Sequence, residues 1–429
     1  MKPRNFILFS LCLALAALAN SACIEQKSSV AIASPNVAAE TSSATDARIQ
    51  KALKIIEQNP NAASGYNNLA VAYIKLARET GDFSLNSKAE TALARSFENE
   101  PDNFNALRLK ASLNLTFHRF QDALELGTRL QKDNPNDFFV YGVLTDANVE
   151  LGNYAEAVEA AQKMVDLRPG MESYSRVSYV RSLYGDPKGA IEAMSMAAHA
   201  ADPMEKEAQA WCLVHLGDEF FKTANYAEAE KQYDAALKVF PDYYLALAGK
   251  GRARAAQNDF EAAAKFLTEA NNRVPNVENV IFLGDVYSKI GKTEEAQKQY
   301  NLAQFIEQQF GNIDQRRLAL LWADHDTKLD EALTIAKKEH ENRKDIFTAD
   351  IYAWCLYKKG QFQEAKNVMT EAMRLNTKDA RIFYHAGMIE KELGNKKAAA
   401  DLLQKAVQTN PSFDVFQAEN AKAALQQLK

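Results

Sequence analysis

The chain has 429 residues, of which 47% are hydrophobic and 25% charged, so it has the composition of a soluble folded protein. It is longer than one hydrophobic core usually supports, which predicts more than one structural unit. With 51 Lys and Arg against 56 Asp and Glu the chain is mildly acidic, which makes nucleic acid a poor partner.

The first 22 residues have the pattern of a signal peptide. Lys2 and Arg4 precede the apolar run FILFSLCLALAAL at 6–18, and small residues follow. The run is shorter than the stretch of about 20 residues that a resident membrane-spanning helix needs. We therefore expect an exported protein.

Two processing sites compete at the end of this leader. Ala-Leu-Ala at 17–19 fits an ordinary cleavage site and predicts a soluble periplasmic or secreted protein. Ser-Ala-Cys at 21–23 resembles the end of a bacterial lipobox, with Asn20 where a lipobox usually carries Leu, and predicts a membrane-anchored lipoprotein acylated at Cys23. The segment 23–46 is rich in Ser, Ala and Thr, as in a flexible tether, and favours the lipoprotein facing the periplasm or the cell exterior.

One phrase recurs along the rest of the chain. It reads GNYAEAVEAAQKMVDLRP at 152–169, ANYAEAEKQYDAALKVFP at 224–241 and GNKKAAADLLQKAVQTNP at 394–411. The period is about 34 residues, which is typical of a two-helix repeat. Ten alanines recur with about this period, and we call them the marker alanines: Ala89, Ala123, Ala157, Ala190, Ala229, Ala263, Ala296, Ala332, Ala365 and Ala399.

The phrase predicts a turn, a helix and a stop. Gly or Asn before it permits a tight turn, as at Gly152, Gly360 and Gly394. The marker alanine is small enough for two helices to cross closely, and the proline at the end cannot continue the helix. Each period therefore encodes one helical hairpin, and the fold class is all-α.

The helix before the phrase carries a Leu-Gly pair followed by an aromatic residue, and here the chain resembles the tetratricopeptide repeat family. The resemblance implies a right-handed superhelical solenoid of about ten helix-turn-helix repeats between residues 61 and 411. The residues that carry it are Leu216, Gly217 and Phe220; Leu283, Gly284 and Tyr287; and Ala386 and Gly387.

Irregularities in the period suggest how the solenoid is divided. A longer gap between Ala190 and Ala229 predicts a joint between an N-terminal lobe at 47–203 and a C-terminal lobe at 204–411. Residues 44–60 read as a lone capping helix, and 412–429 as a final amphipathic capping helix. The segment ETGDFSLN at 79–86 reads as an insertion in the first repeat.

Few residues in the sequence point to chemistry. Cys212 and His215 stand three apart on one helix, and DHD at 324–326 offers carboxylate and imidazole groups, but neither set forms a complete metal site, and a core cysteine and a capping turn explain them as well. Phosphate-binding glycine loops and nucleophile motifs are absent from the sequence. We expect no catalytic activity, no cofactor and no metal.

The resemblance implies a concave groove lined by the first helix of each repeat. Candidate partner-binding residues, counted from the repeat register, are Arg108, Tyr179, Asp218, Arg252, Asp285, Trp354, Tyr357 and Tyr384. Aromatic residues at helical spacing can equally belong to the repeat core. The repeated Lys and Asn arrangement of chaperone-binding members is absent, which disfavours a C-terminal carboxylate ligand.

These observations predict a non-catalytic scaffold for protein–protein interaction at the bacterial cell envelope, binding a partner in the concave groove. The alternative is a secreted or periplasmic protein that binds a non-protein ligand, such as a glycan, through the groove aromatics. The sequence does not identify the partner.

Overall fold

A computed structural model describes residues 39–310 and 315–428. Cys23, the leader and the start of the linker lie outside the described residues. Every regular element in the described part is an α-helix, and no helix there is long and apolar enough to cross a membrane.

The helices form ten consecutive antiparallel pairs, with one further helix at each end, so the predicted all-α repeat solenoid is confirmed. The first helices of the pairs are α2 (Ala63–Thr80), α4 (Phe104–Thr116), α6 (Phe138–Glu150), α8 (Met171–Leu183), α10 (Lys206–Lys222), α12 (Tyr244–Ala256), α14 (Val277–Lys289), α16 (Arg316–Asp324), α18 (Ile346–Lys358) and α20 (Ala380–Glu392). The second helices are α3 (Leu85–Asn99), α5 (Phe120–Asp133), α7 (Tyr154–Leu167), α9 (Pro187–Ala200), α11 (Tyr226–Val239), α13 (Phe260–Arg273), α15 (Thr293–Phe310), α17 (Leu329–Asn342), α19 (Phe362–Ala372) and α21 (Lys396–Thr409). The end helices are α1 (Ala39–Gln58) and α22 (Gln417–Gln427).

Each marker alanine lies in the first turns of a second helix and is at most 3% exposed. The glycine of the Leu-Gly pair has the matching role on the first helix. A Cβ on Gly217 would lie 2.6 Å from Cε1 of Tyr233, a ring that is fully buried between α10 and α12. Small residues at these two positions let the helices of a hairpin approach closely.

The solenoid curves so tightly that successive superhelical turns touch. The carboxylate of Glu150 pairs with Arg343, the backbone N–H of Lys344 donates to the carbonyl of Glu150 over 3.1 Å, and the N–H of Ile346 donates to the hydroxyl of Tyr154 over 2.9 Å. We call this contact of 150–154 with 343–346 the clasp. Glu150 and Arg343 are 193 residues apart in the sequence, so one superhelical turn takes roughly six repeats.

The predicted joint at 203/204 is a loop that makes contacts across the superhelix. Glu205 in this loop accepts hydrogen bonds from Arg48 on α1, over 2.9 Å, and from Lys75 on α2. Gly81, in the segment read as an insertion, approaches the loop at Val274 so closely that a Cβ there would lie 2.2 Å from Cγ2 of Val274. Its φ of 72° also favours glycine. Both irregularities thus serve contacts between distant repeats.

The C-terminal cap differs from its prediction. The final helix spans Gln417–Gln427 and buries Ala421 and Leu425 against the last repeats, whereas residues 412–416 are not helical. Asp414 ends this irregular segment as a cap, because its Oδ1 accepts from the backbone N–H groups of Phe416 and Gln417, both over 2.9 Å. The segment therefore turns inward before the chain enters α22.

Candidate functional site

The concave face of the superhelix encloses a channel of about 540 Å³. Its walls come from the first helices of repeats three to ten, from the loop at 343–345 and from the C-terminal segment 411–422. Cavities of about 300 to 1,000 Å³ are typical of ligand sites in proteins. The channel is the natural candidate site, and the first helices line it as the repeat register predicts.

Charged side chains of both signs line the channel. Many of them are missing from the sequence-based candidates. Arg343, Asp345 and Asp414 come from the loop and the C-terminal segment, which lie outside the repeat phrase. Others, such as Glu278 and Arg381, lie on first helices at positions that the repeat register did not single out. The cations are Arg252, Arg316, Arg317, Arg343, Arg381 and Lys422, and the carboxylates are Glu150, Glu278, Asp285, Asp324, Asp345, Asp414 and Glu419.

Two predicted residues, Asp218 and Arg252, form one ion pair on neighbouring first helices. Nη2 of Arg252 donates to Oδ1 of Asp218 over 2.9 Å, and the hydroxyl of buried Tyr233 donates to the same oxygen over 2.8 Å. Burial acts to raise the pKa of Asp218, but the hydrogen bond from His215 and the charge of Arg252 outweigh it and hold that pKa well below its usual range. Asp218 therefore stays ionised and fixes Arg252 at the channel wall.

Asp285 repeats this arrangement two repeats later. The hydroxyl of Tyr300 donates to its Oδ1 over 2.8 Å, with the same 15-residue separation as Tyr233 and Asp218. His325 takes the place of the arginine, with Nε2 3.0 Å from Oδ1 of Asp285. Burial lowers the pKa of His325, but its hydrogen bond with Asp285 and the surrounding carboxylates raise it overall.

Asp324 connects the channel wall to the C-terminal segment. Its Oδ1 accepts from Nε1 of Trp354 and from Nε2 of Gln417, both over 2.7 Å. Burial, aided by the nearby charge of Asp414, raises the pKa of Asp324 to about 6. This carboxyl group therefore titrates close to neutral pH.

Tyr179 lines the channel with 39% of its surface exposed. Arg108 lies further toward the N-terminus, outside the channel lining, where Nη1 pairs with Asp137 over 2.9 Å. Tyr357 is half-buried and stacks on Trp354 with ring centroids 4.6 Å apart. The channel thus brings together Tyr179, Arg252 and Asp285 from the predicted set.

The expectation that Trp354 and Tyr384 present exposed rings to a partner is wrong. Each is only 3% exposed, and both belong to the hydrophobic core around α18, α20 and α22. Trp354 is stacked between Tyr357 and His385, and Phe413 of the C-terminal segment packs against Tyr384 with ring centroids 5.8 Å apart. The inward turn of residues 412–416 therefore covers the surface that these rings were expected to form.

The side chains of the two possible metal motifs contact other residues of the chain. His215 packs against Trp211, with ring centroids 4.1 Å apart, and its Nδ1 lies 3.3 Å from Asp218. Cys212 is fully buried, and burial raises its pKa to about 12. Within residues 39–310 and 315–428, no group of three or more His, Cys, Asp or Glu side chains is arranged to hold a metal ion.

The tetratricopeptide repeat family model matches residues 74–138, 215–276 and 353–412. Together these matches cover less than half of the chain. Helix pairs of the same kind continue between them, so the chain is similar in fold to this family. Proteins built from this repeat generally bind other proteins.

Several solved structures are similar to this chain at low identity. Yeast Tom70 is 15% identical, with 90% of this chain and 93% of that chain covered and a TM-score of 0.40. Human IFIT1, as a dimer with PPP-AAAA, is 12% identical over 85% and 87% of the two chains, with a TM-score of 0.48. PilW, a widely conserved type IV pilus biogenesis factor, is 15% identical over 50% and 98%, with a TM-score of 0.41. Among curated proteins no sequence matches. These likenesses carry no inference about the partner.

Proposed function

We propose that this protein is a scaffold of the bacterial cell envelope that binds an extended segment of a partner protein in its central channel. The observation that carries the proposal is the channel itself, a cavity of about 540 Å³ lined by the first helices and by charged groups of both signs. Charges held at fixed positions give register and selectivity to a bound polypeptide.

The size of the channel favours an extended segment over a partner helix. A helix is about 10–12 Å across with its side chains, so a cavity of this volume would hold about one turn of it. An extended chain is thinner and exposes backbone N–H and C=O groups, which carboxylates and guanidinium groups can bind. A globular partner would have to insert a loop or a terminus.

The proposed location rests on the first 46 residues of the sequence. A leader with an apolar run, a cysteine after Ser-Ala and a Ser- and Ala-rich tether together support export followed by lipid attachment at Cys23. A scaffold held near the membrane by such a tether would meet partners at the envelope. Release as a soluble periplasmic or secreted protein is the alternative.

The alternative is a non-protein ligand such as a glycan, bound through aromatic rings of the groove. Trp354 and Tyr384 are in the core and do not serve it. Tyr179 and the rings of Phe221, Phe347 and Phe413 line the channel.

Site-specific photocrosslinking in the native cell tests the proposal. A benzophenone amino acid replaces Tyr179 in the channel, and in a matched control it replaces Val158, which lies on α7 outside the channel lining and is also 39% exposed. We expect the first variant to crosslink to a distinct partner protein and the second not to. Equal crosslinking from both positions, or none from the channel, would contradict the proposal.

A further inference from the structure

Arg381 stands where the channel meets a second cavity. It lines both the channel and a side pocket of about 200 Å³. The walls of the side pocket include the apolar residues Phe221, Leu320, Phe347, Ile351 and Phe413. A pocket of this volume is about the size of one large apolar side chain. These five residues also line the channel, and the rest of the side-pocket wall is mainly polar, with Lys222, Asp350, Lys378, Asp379 and Asn410. Arg381 therefore lies at the junction of the channel and a recess that has both apolar and charged walls.

The guanidinium of Arg381 makes no hydrogen bond within the described part of the chain. Its nearest carboxylate is Asp414, with Nη2 and Oδ2 3.6 Å apart. By contrast, Arg252 donates to Asp218 over 2.9 Å and Arg317 to Glu278 over 3.2 Å. A guanidinium has five N–H donors in a planar fork suited to a carboxylate, so Arg381 has unused binding capacity at the channel wall.

The neighbouring carboxylates are occupied elsewhere. Asp414 caps α22 with its other oxygen, so moving closer to Arg381 would strain that cap. Asp379 caps α20, where its Oδ1 accepts from the N–H of Ile382 over 3.0 Å, and Asp350 is bonded to His385 over 2.9 Å. Lys378, at the edge of the side pocket, also makes no hydrogen bond among the described residues.

We propose that Arg381 binds the carboxylate of an acidic side chain in the partner segment while an adjacent bulky apolar side chain of that segment fills the side pocket. This inference rests on the proposed binding of an extended segment in the channel. It specifies which residues the segment carries, namely an Asp or Glu next to an aromatic or large aliphatic residue.

Fluorescent peptides of defined sequence test the pairing. The probe is acetyl-Ser-Asp-Phe-Ser-amide carrying a fluorophore, and its control is the same peptide with Asn in place of Asp; both are amidated, so that only the side chain offers a carboxylate. We expect fluorescence anisotropy to show at least about tenfold weaker binding of the Asn peptide to the wild-type chain, the loss typical of a charged hydrogen-bonded pair. Arg381→Gln should weaken binding of the Asp peptide by a similar factor and leave the affinity for the Asn peptide unchanged.

Arg95→Gln serves as the matched control, since Arg95 is 62% exposed on α3 outside both cavities. Arg381→Lys, which keeps the charge but loses the planar fork, should give an intermediate affinity if the pairing is correct. Equal affinities of the two peptides for the wild-type chain would overturn the inference, as would equal effects of Arg381→Gln and Arg95→Gln. The comparison of peptides on the wild-type chain holds even if a variant fails to fold.

The crosslinking experiment separates this failure from that of the proposed function. If Tyr179 crosslinks to a partner that binds the Arg381→Gln chain as tightly as the wild-type chain, the channel binds protein but the role of Arg381 is wrong. If the channel crosslinks to nothing, the proposed function is also wrong.

Discussion

Replacing Gly217 by alanine should destabilise the protein, although alanine is the better helix former. Gly217 lies within α10, and a Cβ there would lie 2.6, 2.9 and 3.0 Å from Cε1, Cδ1 and Cζ of Tyr233. The ring cannot move aside, because it is fully buried and its hydroxyl is bonded to Asp218. The contact is therefore too short to relax without a shift of the helices.

The size of the effect follows from two opposing contributions. Replacing Gly by Ala inside a helix stabilises the folded state by up to about 1 kcal/mol, whereas overpacking a tight core destabilises it by about 1 to 3 kcal/mol. We expect Gly217→Ala to lower the free energy of unfolding by about 1 to 2 kcal/mol. Gly142→Ala is the matched control, because its Cβ would lie 3.2 Å from Arg176 and 3.3 Å from Met164, so that these side chains need to shift much less than Tyr233.

Urea unfolding followed by circular dichroism at 222 nm measures both variants. Because repeat arrays can unfold in steps, the midpoint and the slope of the transition are compared together. Gly142→Ala should be as stable as the wild type or slightly more stable, and Gly217→Ala clearly less stable. Equal gains in both variants would refute the close packing of α10 on Tyr233.

Three further predictions follow from individual residues. Cys23→Ser should move the protein from the membrane to the soluble fraction and abolish metabolic fatty-acid labelling; labelling that persists would contradict lipid attachment at that residue. Trp354→Ala should lower the free energy of unfolding by about 3 to 5 kcal/mol, as for other buried aromatic residues, and a variant as stable as the wild type by thermal denaturation would contradict its core position. The pKa of Asp324 in the folded chain, about 6, is above its value of about 3.9 in an unfolded chain, so this group stabilises the fold as the pH falls through 6. Asp324→Asn should therefore remove a gain in stability of about 1.4 kcal/mol between pH 7.5 and pH 5, measured by urea unfolding at several pH values; an unchanged pH dependence would contradict the raised pKa.

The repeat architecture could be predicted from the sequence because its determinants are local. The marker alanines, the Leu-Gly pair and the turn glycines act within a single hairpin, so a short phrase specifies each unit. The register follows from the same phrase, which is why Tyr179, Arg252 and Asp285 were placed on the inner face and lie in the channel.

The channel could not be predicted because it depends on the rotation between successive repeats, summed over the whole solenoid. A small rotation per repeat decides whether distant turns touch, and the clasp between Glu150 and Arg343 has no signature in either repeat. The burial of Trp354 and Tyr384 depends in turn on the irregular segment at 412–416, which the sequence predicts as helix. Arg381 was missed because its role comes from two cavities that only the closed superhelix creates.

Chemical crosslinking across the clasp tests most directly whether the superhelix closes on itself. A Cβ on Gly152 would lie 3.0 Å from Cβ of Lys344 but only 2.5 Å from its backbone oxygen, and the φ of Gly152 is 76°, so Gly152 itself does not accept a cysteine. Its neighbour Asn153 has a φ of −87° and is exposed, as is Lys344. The experiment therefore uses Asn153→Cys with Lys344→Cys, joined by a short bifunctional maleimide, in a Cys23→Ser chain, in which Cys212 and Cys355 are buried. Val158→Cys with Lys344→Cys is the control.

The closed superhelix predicts that the short maleimide joins the cysteines of the Asn153→Cys and Lys344→Cys chain, which then migrates faster on a denaturing gel, and that the control pair stays unlinked. If neither pair is joined, or if both are joined equally, the turns do not meet at the clasp and the channel does not exist as described.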